Sequence, residues 1–324
     1  MSVTSFDVAK AAGVSRATVS IVLNDAPGRV SVETRENVLR VARELGYQPS
    51  ALGRSLRRGR SNTVLFPLPR VEMNHVVLSI LDACSRALAP RGLALVRDTS
   101  VHDDPQAQAD AWAELAPAAV LDLALHRDDE ALARLHARGV PVLSAALPDV
   151  KAWESPGDVF AREQRLAQIA HLVALGHRRI RLILPRVLPV DPRTEKQVLA
   201  DARALAADGG AKLTVERLDL LEVAPAVSAW TDLPDGVAAN NDSWAIAVLT
   251  ALQHRGVRVP DDVAVIGADD EPLGLAVLPA ITTIAGVFDD FATAIADAVE
   301  AVLAGKPAQA LPIPGLRLLR RGTA

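Results

Sequence analysis

The chain has 324 residues, of which 50% are hydrophobic and 23% charged, which excludes a disordered chain and is enough for about two domains. It holds no run of 18 apolar residues, and its first residues carry no secretion signal, so we expect a cytoplasmic protein without a membrane partner. The single cysteine, Cys84, excludes an internal disulfide.

The formal net charge of −4 is unevenly spread along the chain. Residues 1–60 hold ten lysines and arginines against five acidic residues, whereas the remainder holds 25 against 34. A basic head on an acidic body is the asymmetry expected when one end of a protein binds a polyanion.

Three short helices are predicted in the head. Thr4 and Asp7 form a capping box before the first helix, and Gly13 has the position of its C-terminal cap. Ser15 caps a second helix only a few residues later, a spacing typical of a helix-turn-helix. Ser31 caps a third helix, which Gly46 ends. Charge and helix count alone fit a small helical cap on a larger domain equally well.

Residues 49–60 are predicted to be a hinge. The segment is basic, contains two glycines and lacks a broad apolar face, so a stable free helix is not expected. A solvated linker is the simpler alternative.

Short apolar runs alternate with helical stretches from Thr63 onward, a pattern that predicts parallel sheets covered by helices. The predicted strands are 64–68, 93–96, 119–123, 140–143, 180–184, 213–218, 237–239 and 263–266. The predicted helices include 76–90, 129–138, 162–175, 195–207, 243–255 and 289–304. About 260 residues of this pattern are too many for one sheet, so we expect two α/β lobes.

No pattern in the sequence supports an enzyme. The glycine-rich motifs that bind nucleotides are absent, and so is the His-Glu-x-x-His zinc motif, so neither a cofactor nor a metal is expected. Cys84 lies in an apolar helical stretch and is predicted to be a buried small hydrophobe. An α/β enzyme or a sugar-binding module with an incidental helical head is the less favoured alternative.

The head resembles a known family over its whole length, with fixed spacing. The matching motifs are Asp7-Val8-Ala9-x-x-Ala12-Gly13-Val14-Ser15-x-x-Thr18-Val19-Ser20-x-Val22-Leu23-Asn24, Val30-Ser31-x-x-Thr34-Arg35 and Leu45-Gly46-Tyr47-x-Pro49. They are similar to the DNA-binding head of the LacI/GalR repressors. The resemblance implies a helix-turn-helix domain at 1–48 whose second helix enters the major groove of double-stranded operator DNA.

Individual DNA contacts follow from the resemblance by position. Arg16 and Ala17 are expected to read base edges, and Arg16 suits guanine. Ile21 stands where several relatives carry an arginine that makes a further base contact. In the hinge, the resemblance implies a helix formed on DNA, with Leu56 wedged into the minor groove. The remaining expected DNA-binding residues are Thr4, Ser15, Thr18, Ser20, Asn24, Ser31, Thr34, Tyr47, Arg54 and Arg57.

The body resembles the same family. The matching motifs are His171-Leu172-x-x-Leu175-Gly176-His177-Arg178-x-Ile180, Asn241-Asp242-x-x-Ala245, Leu252-x-x-x-Gly256-x-x-x-Pro260-x-Asp262-Val263-x-Val265-Ile266-Gly267-x-Asp269-Asp270, Pro279-x-Ile281-Thr282-Thr283-Ile284 and Leu318-x-x-Arg321-Gly322-Thr323. Such bodies are similar to periplasmic sugar-binding proteins, two doubly wound parallel-sheet lobes with a ligand cleft between them. The resemblance implies crossovers near 158 and 286, with lobe 1 at about 61–158 and 287–324 and lobe 2 at about 159–286.

Four residues stand where that family contacts its small-molecule effector: Arg193, Asn241, Asp269 and Phe288. Arginine, amide and carboxylate groups bind hydroxyls, and a ring covers the apolar face of a sugar. Several departures surround them, among them Val159-Phe160 for an Asp-Asn pair and Lys196 for a glycine. A sugar, a non-sugar metabolite and a decayed pocket therefore all remain open.

Taken together, these features predict a homodimeric, sequence-specific transcriptional repressor. Two heads imply a near-palindromic operator with two half-sites. An effector in the cleft is expected to couple reciprocally to DNA binding.

Overall fold

The computed structural model describes residues 3–23, 30–47, 60–67, 74–100, 102, 104–122, 129–144, 156–187, 192–307 and 311–324. The chain divides into two compact units, Met1–Asn62 and Thr63–Ala324. Most of the predicted hinge lies outside the described residues. No helix within the described ranges is long and apolar enough to cross a membrane.

The described residues of the first unit form three short helices, α1 (Ser5–Ala12), α2 (Arg16–Leu23) and α3 (Val32–Glu44). The chain turns sharply between α1 and α2 because Gly13 adopts a left-handed conformation, with φ of 67°. Side chains from all three helices close a small core, which consists of Val8, Ala9, Ala12, Val19, Val22, Val38, Val41 and Ala42.

The first lobe of the second unit is built on a four-stranded parallel sheet in the order β2-β1-β3-β4. Its strands are β1 (Thr63–Pro67), β2 (Ala94–Asp98), β3 (Ala119–Asp122) and β4 (Val142–Ser144). The helices between them are α4 (His75–Leu88), α5 (Pro105–Glu114) and α6 (Asp129–Ala137), and a short 3₁₀ turn, Ala89–Arg91, follows α4. Cys84 on α4 is fully buried, and burial raises the pKa of its thiol to about 12.

The second lobe contains a six-stranded sheet in the order β10-β9-β8-β7-β5-β6. Its strands are β5 (Arg179–Pro185), β6 (Lys212–Leu218), β7 (Gly236–Ala238), β8 (Ala264–Ala268), β9 (Thr282–Val287) and β10 (Gly315–Leu319). The helices are α7 (Pro156–Ala174), α8 (Pro192–Asp208), α9 (Leu220–Ala229) and α10 (Asp242–His254), with a 3₁₀ turn at Pro272–Leu275. All strand pairs of this sheet are parallel except β9–β10, which is antiparallel.

The end of the chain corrects the predicted lobe boundary. Helix α11 (Asp289–Leu303) packs against α4 of the first lobe. However, β10 returns to the second lobe, where Leu316 and Leu318 pack onto the core beneath the six-stranded sheet. The Val265 N–H donates to the Thr323 carbonyl oxygen at 2.7 Å, so the last residues also belong to the second lobe. The run from α11 to β10 is therefore a third passage between the lobes.

Candidate DNA-binding and effector-binding sites

The start of α1 is fixed by a local network between Thr4 and Asp7. The Thr4 N–H and the Thr4 hydroxyl donate to the same Asp7 carboxylate oxygen, at 2.8 and 2.7 Å. Both hydrogen bonds hold the pKa of Asp7 below its usual value, and the one from the hydroxyl has the larger effect. Thr4 is exposed, and a hydroxyl oxygen has two lone pairs, so it can accept a hydrogen bond in addition to the one it donates.

The N-terminus of α2 presents two predicted base-reading residues to solvent. The Ser15 hydroxyl oxygen accepts a hydrogen bond from the Thr18 N–H at 3.0 Å and so caps the helix. Arg16 and Ala17 occupy the first two helical positions, and both are exposed. Val19 anchors the opposite face of α2 in the core of the head. The first turn can therefore approach a groove without disturbing the core.

The start of α3 offers a second set of hydroxyl groups. The Ser31 hydroxyl oxygen accepts from the Thr34 N–H at 3.2 Å, and the Ser31 hydroxyl donates to the Thr34 side-chain oxygen at 2.8 Å. Ser20 and Thr34 are half-buried, and Tyr47 packs against the core of the head. Four further predicted contacts lie outside the described residues, namely Asn24, Arg54, Leu56 and Arg57.

The four predicted effector residues follow four neighbouring parallel strands at one edge of the six-stranded sheet. Arg193 lies in the first turn of α8, the helix after β5, and Asn241 follows β7. Asp269 follows β8, and Phe288 follows β9. Ligands of open α/β sheets bind beyond the carboxyl ends of the strands, so this edge is the expected place for an effector.

The environments of these four residues differ. Arg193 is exposed. The Asn241 side-chain oxygen caps α10 by accepting from the Trp244 N–H at 3.2 Å. Asp269 has a left-handed backbone with φ of 90°, and burial raises the pKa of its carboxyl. The Phe288 ring is only 9% exposed, so little of it is available to a ligand.

Phe288 is covered by Phe160, which lies in the second turn of the crossover helix α7. The two ring centroids lie 5.7 Å apart at an interplanar angle of 45°. Both rings belong to the buried cluster that joins α11 to the first sheet. Phe160, one of the departures from the family pattern, thus covers the ring of Phe288. The resemblance assigns that ring to contact with a sugar.

A polar seam on α7, none of whose residues was predicted from the sequence, holds together the carboxyl ends of these strands, which we call the effector edge. It consists of Gln164, Arg165 and Gln168, and we call it the α7 seam. The Gln168 amide donates to the Ala239 and Gly267 carbonyl oxygens, both at 2.8 Å. One polar side chain thereby ties the ends of β7 and β8 together.

The other two members of the α7 seam orient the predicted effector residues. The Gln164 amide donates to an Asp269 carboxylate oxygen at 2.8 Å and to the Ile284 carbonyl oxygen at 3.0 Å. Arg165 donates to the backbone and side-chain oxygens of Asn240, both at 2.6 Å, directly before Asn241. The pKa of Arg165 lies below its usual value because the side chain is buried, and the negative charge of Asp269 partly opposes this shift. The sequence signal was a Gln-Arg-x-x-Gln spacing on one helix face.

Asp242, the first residue of α10, is a buried acid beneath the same edge. One carboxylate oxygen accepts from the Glu271 N–H at 2.8 Å, while the other has no hydrogen-bond partner in the described part of the chain. Burial raises the pKa of the carboxyl to about 7. Gly267 leaves no room for a side chain because the Asp242 carboxylate lies against it.

Both the head and the body of the chain are similar to known proteins. Residues 6–50 match the family of bacterial regulatory proteins of the lacI type, and residues 169–324 match a periplasmic binding protein-like domain. The transcriptional regulator MalR of Streptomyces coelicolor is 32% identical over 295 residues, which are 86% of this chain and 83% of MalR.

Two solved structures share the fold. A complex of the transcriptional regulator CelR with cellobiose is 25% identical, with a TM-score of 0.63, and covers 99% of this chain and 100% of that one. The lac repressor dimer bound to operator and the anti-inducer ONPF is 23% identical, with a TM-score of 0.73, and covers 100% and 99%.

MalR and CelR are both named as transcriptional regulators. The head matches its family model over residues 6–50, and the body matches the periplasmic binding protein-like model over residues 169–324. The chain therefore belongs to the LacI family of DNA-binding transcriptional regulators.

Proposed function

We propose that this protein is a homodimeric repressor that acts in the cytoplasm on a near-palindromic operator and is controlled by a small molecule in the cleft between its lobes. The observation that carries the proposal is the first turn of α2, where Arg16 and Ala17 are exposed opposite a buried valine face. The exposed hydroxyls at the starts of α2 and α3 are suited to phosphate contacts.

Self-association is supported by exposed leucines on the second lobe. Leu278 is 85% exposed, and Leu273 and Leu275 in the preceding 3₁₀ turn are 64% and 61% exposed. Leu221 at the start of α9 is 90% exposed, and both segments pack against α10. Exposed apolar clusters of this kind mark interaction surfaces, and a second copy of the chain is the expected occupant because the related lac repressor is a dimer.

The proposed effector site lies along the four strand ends, with Arg193, Asn241 and Asp269 as polar contacts. The CelR relative binds cellobiose, and Asp269 and Asn241 present a carboxylate and an amide at neighbouring strand ends. The second candidate is a metabolite that is smaller than a sugar and does not stack on an aromatic ring. The coverage of Phe288 by Phe160 favours it.

The test is selection of random duplex DNA by the purified full chain at about 0.15 M salt, because affinity for DNA depends strongly on salt. Enrichment of a palindrome would support the proposal, and uniform binding without enrichment would contradict it. The enriched duplex then serves to screen mono- and disaccharides, cellobiose included, for release or recruitment of the protein. An effector response that persists in Asp269→Ala would remove Asp269 from the proposed site.

A further inference from the structure

The outward face of α2 carries an apolar side chain, Ile21, that is not part of the described core of the head. Val19 and Val22 are 0% and 3% exposed and form the inward face. At about 100° per residue, the face opposite these valines is formed by Ala17, Ser20 and Ile21. Ala17 is exposed, and Ser20 and Ile21 are half-buried.

Ile21 does not belong to the core of the head. The side chains packed around that core are Val14, Leu23, Val30 and Tyr47, and Ile21 is not among them. It stands one helical turn after Ala17, so the two side chains are neighbours on the helix surface. We call this pair the apolar strip.

The apolar strip restricts what this part of α2 can recognise. Neither alanine nor isoleucine carries a side-chain donor or acceptor, so neither can read the hydrogen-bonding groups of a base. In the major groove, the apolar group that distinguishes one base pair from another is the C5-methyl of thymine. Arg16, at the edge of the same face, has the chemistry for guanine N7 and O6.

We propose that the apolar strip reads a thymine methyl group in each half-site, with Ile21 as the main contact. The inference rests on the proposed role of α2 as the reading helix. Ile21 makes the larger contact because its side chain reaches further from the helix than the methyl group of Ala17. The half-site then combines a guanine read by Arg16 with a thymine recognised by its methyl group.

The experiment removes that methyl group without changing base pairing. The full chain first selects a duplex from a random pool, and deoxyuridine then replaces each thymidine of this duplex in turn. One thymidine in each half-site is expected to be sensitive. Its replacement should weaken binding about fourfold, and replacement in both half-sites about 15-fold, as for the loss of one buried methyl group per half-site.

Ile21→Ala assigns the effect to the side chain. This variant should bind the thymidine duplex more weakly and lose most of its discrimination against deoxyuridine at that position. Leu39→Ala is the matched control, since Leu39 is a 38% exposed apolar residue on α3 and its removal should leave the discrimination unchanged.

Three results would overturn the inference while leaving the proposed function intact. The first is equal binding of thymidine and deoxyuridine duplexes by the unmodified chain, and the second is full discrimination retained by Ile21→Ala. The third is a selected half-site without thymine. Failure to enrich any sequence would instead count against the reading role of α2 itself. The deoxyuridine scan of the unmodified chain keeps the inference testable should Ile21→Ala not fold.

Discussion

A single exposed arginine at the start of α2 is the residue best suited to discriminate among base pairs. Arg16 has a fork of donors that matches guanine N7 and O6 in a bidentate contact, which the single hydroxyls around it cannot make. We expect Arg16→Ala to weaken binding to the selected duplex about 5- to 150-fold per half-site, with little change in binding to unrelated DNA. Fluorescence anisotropy titrations with both duplexes measure the two affinities.

The control for Arg16 is another exposed arginine of the head. Arg43 lies near the end of α3 and donates to the Leu39 carbonyl oxygen at 3.2 Å. Arg43→Ala removes the same charge, so it should lower both affinities by a similar, small factor. Equal losses of specific and non-specific binding in Arg16→Ala would show that Arg16 contributes charge and not base recognition.

The buried acid Asp242 makes the stability of the second lobe depend on pH. Its folded-state pKa is raised to about 7, so the folded state binds this proton more tightly than the unfolded state between about pH 4 and pH 7. The free energy of unfolding should therefore fall as the pH rises through this window and stay reduced above it. The contribution is at most about 4 kcal/mol.

Asp242→Asn tests this dependence because the amide keeps one oxygen for the Glu271 N–H and cannot ionise. We expect the stability of the variant, relative to the unmodified chain, to increase between pH 5 and pH 8, as measured by urea unfolding. Asp262→Asn is the control, because Arg258 holds the pKa of that exposed carboxyl below its usual value, outside this window. A constant difference between Asp242→Asn and the unmodified chain would show that Asp242 does not titrate there.

At the scale of elements, α7 links strand ends that are distant in sequence. Gln168 is fully buried, and its amide is the donor for two buried carbonyl oxygens of β8 and the segment after β7. Gln168→Leu leaves both oxygens without this donor, so we expect a loss of about 2–4 kcal/mol in the free energy of unfolding. Tryptophan fluorescence follows this unfolding selectively, since all four tryptophans lie between residues 63 and 324.

The matched control removes an amide that makes the same kind of bond at the surface. Gln253 is exposed and donates to the Leu278 carbonyl oxygen at 2.7 Å. Gln253→Leu should cost less than about 1 kcal/mol, because water replaces the lost donor. Equal losses in the two variants would contradict the structural role given to the α7 seam.

Elements with strong apolar periodicity were predictable from the sequence, and those with polar or interrupted patterns were not. Strand β5 was predicted at 180–184 because Ile180–Leu184 is a buried run. Helix α5 was missed because its alanines and glutamines give a weak apolar stripe, and α9 because Pro225 interrupts it. Strand β10 was missed because its pairing with β9 depends on a return of the chain that no local pattern shows.

The effector edge was predictable only in part for the same reason. Asn241 and Asp269 follow recognisable strands, so their places at the sheet edge came from local pattern and family resemblance. The Gln164 contact with Asp269 spans 105 residues, and the Arg165 contact with Asn240 spans 75. Such pairings depend on the sheet order, which a single sequence does not show.

At the scale of the whole effector unit, α7 connects the crossover between the lobes to the proposed effector residues. Its second turn places Phe160 against Phe288, and its next two turns carry the α7 seam. A ligand that displaces Asp269 or Asn240 therefore acts on the same rigid helix that begins at the crossover. Through α7, an effector bound at these residues can change the relative position of the lobes.

Assembly is the last property that this unit determines, and its exposed leucines make it testable. Leu278→Asp places a charge on a side chain that is 85% exposed, so the fold should keep its stability to within about 0.5 kcal/mol. In a self-complementary interface the substitution introduces this charge twice per dimer, and both charges must be desolvated. We therefore expect the dissociation constant of the dimer to rise at least tenfold. Sedimentation velocity over a range of concentrations measures this change.

Val187→Asp is the control for Leu278→Asp, since Val187 is 82% exposed and is not one of the leucines proposed for the interface. It should leave the dissociation constant unchanged. A monomeric Leu278→Asp variant should also bind the palindromic duplex with the affinity of a single half-site, because the second head is no longer tethered near its own half-site. Unchanged sedimentation of Leu278→Asp would place the dimer interface elsewhere, and operator binding would then have to be explained from another pair of surfaces.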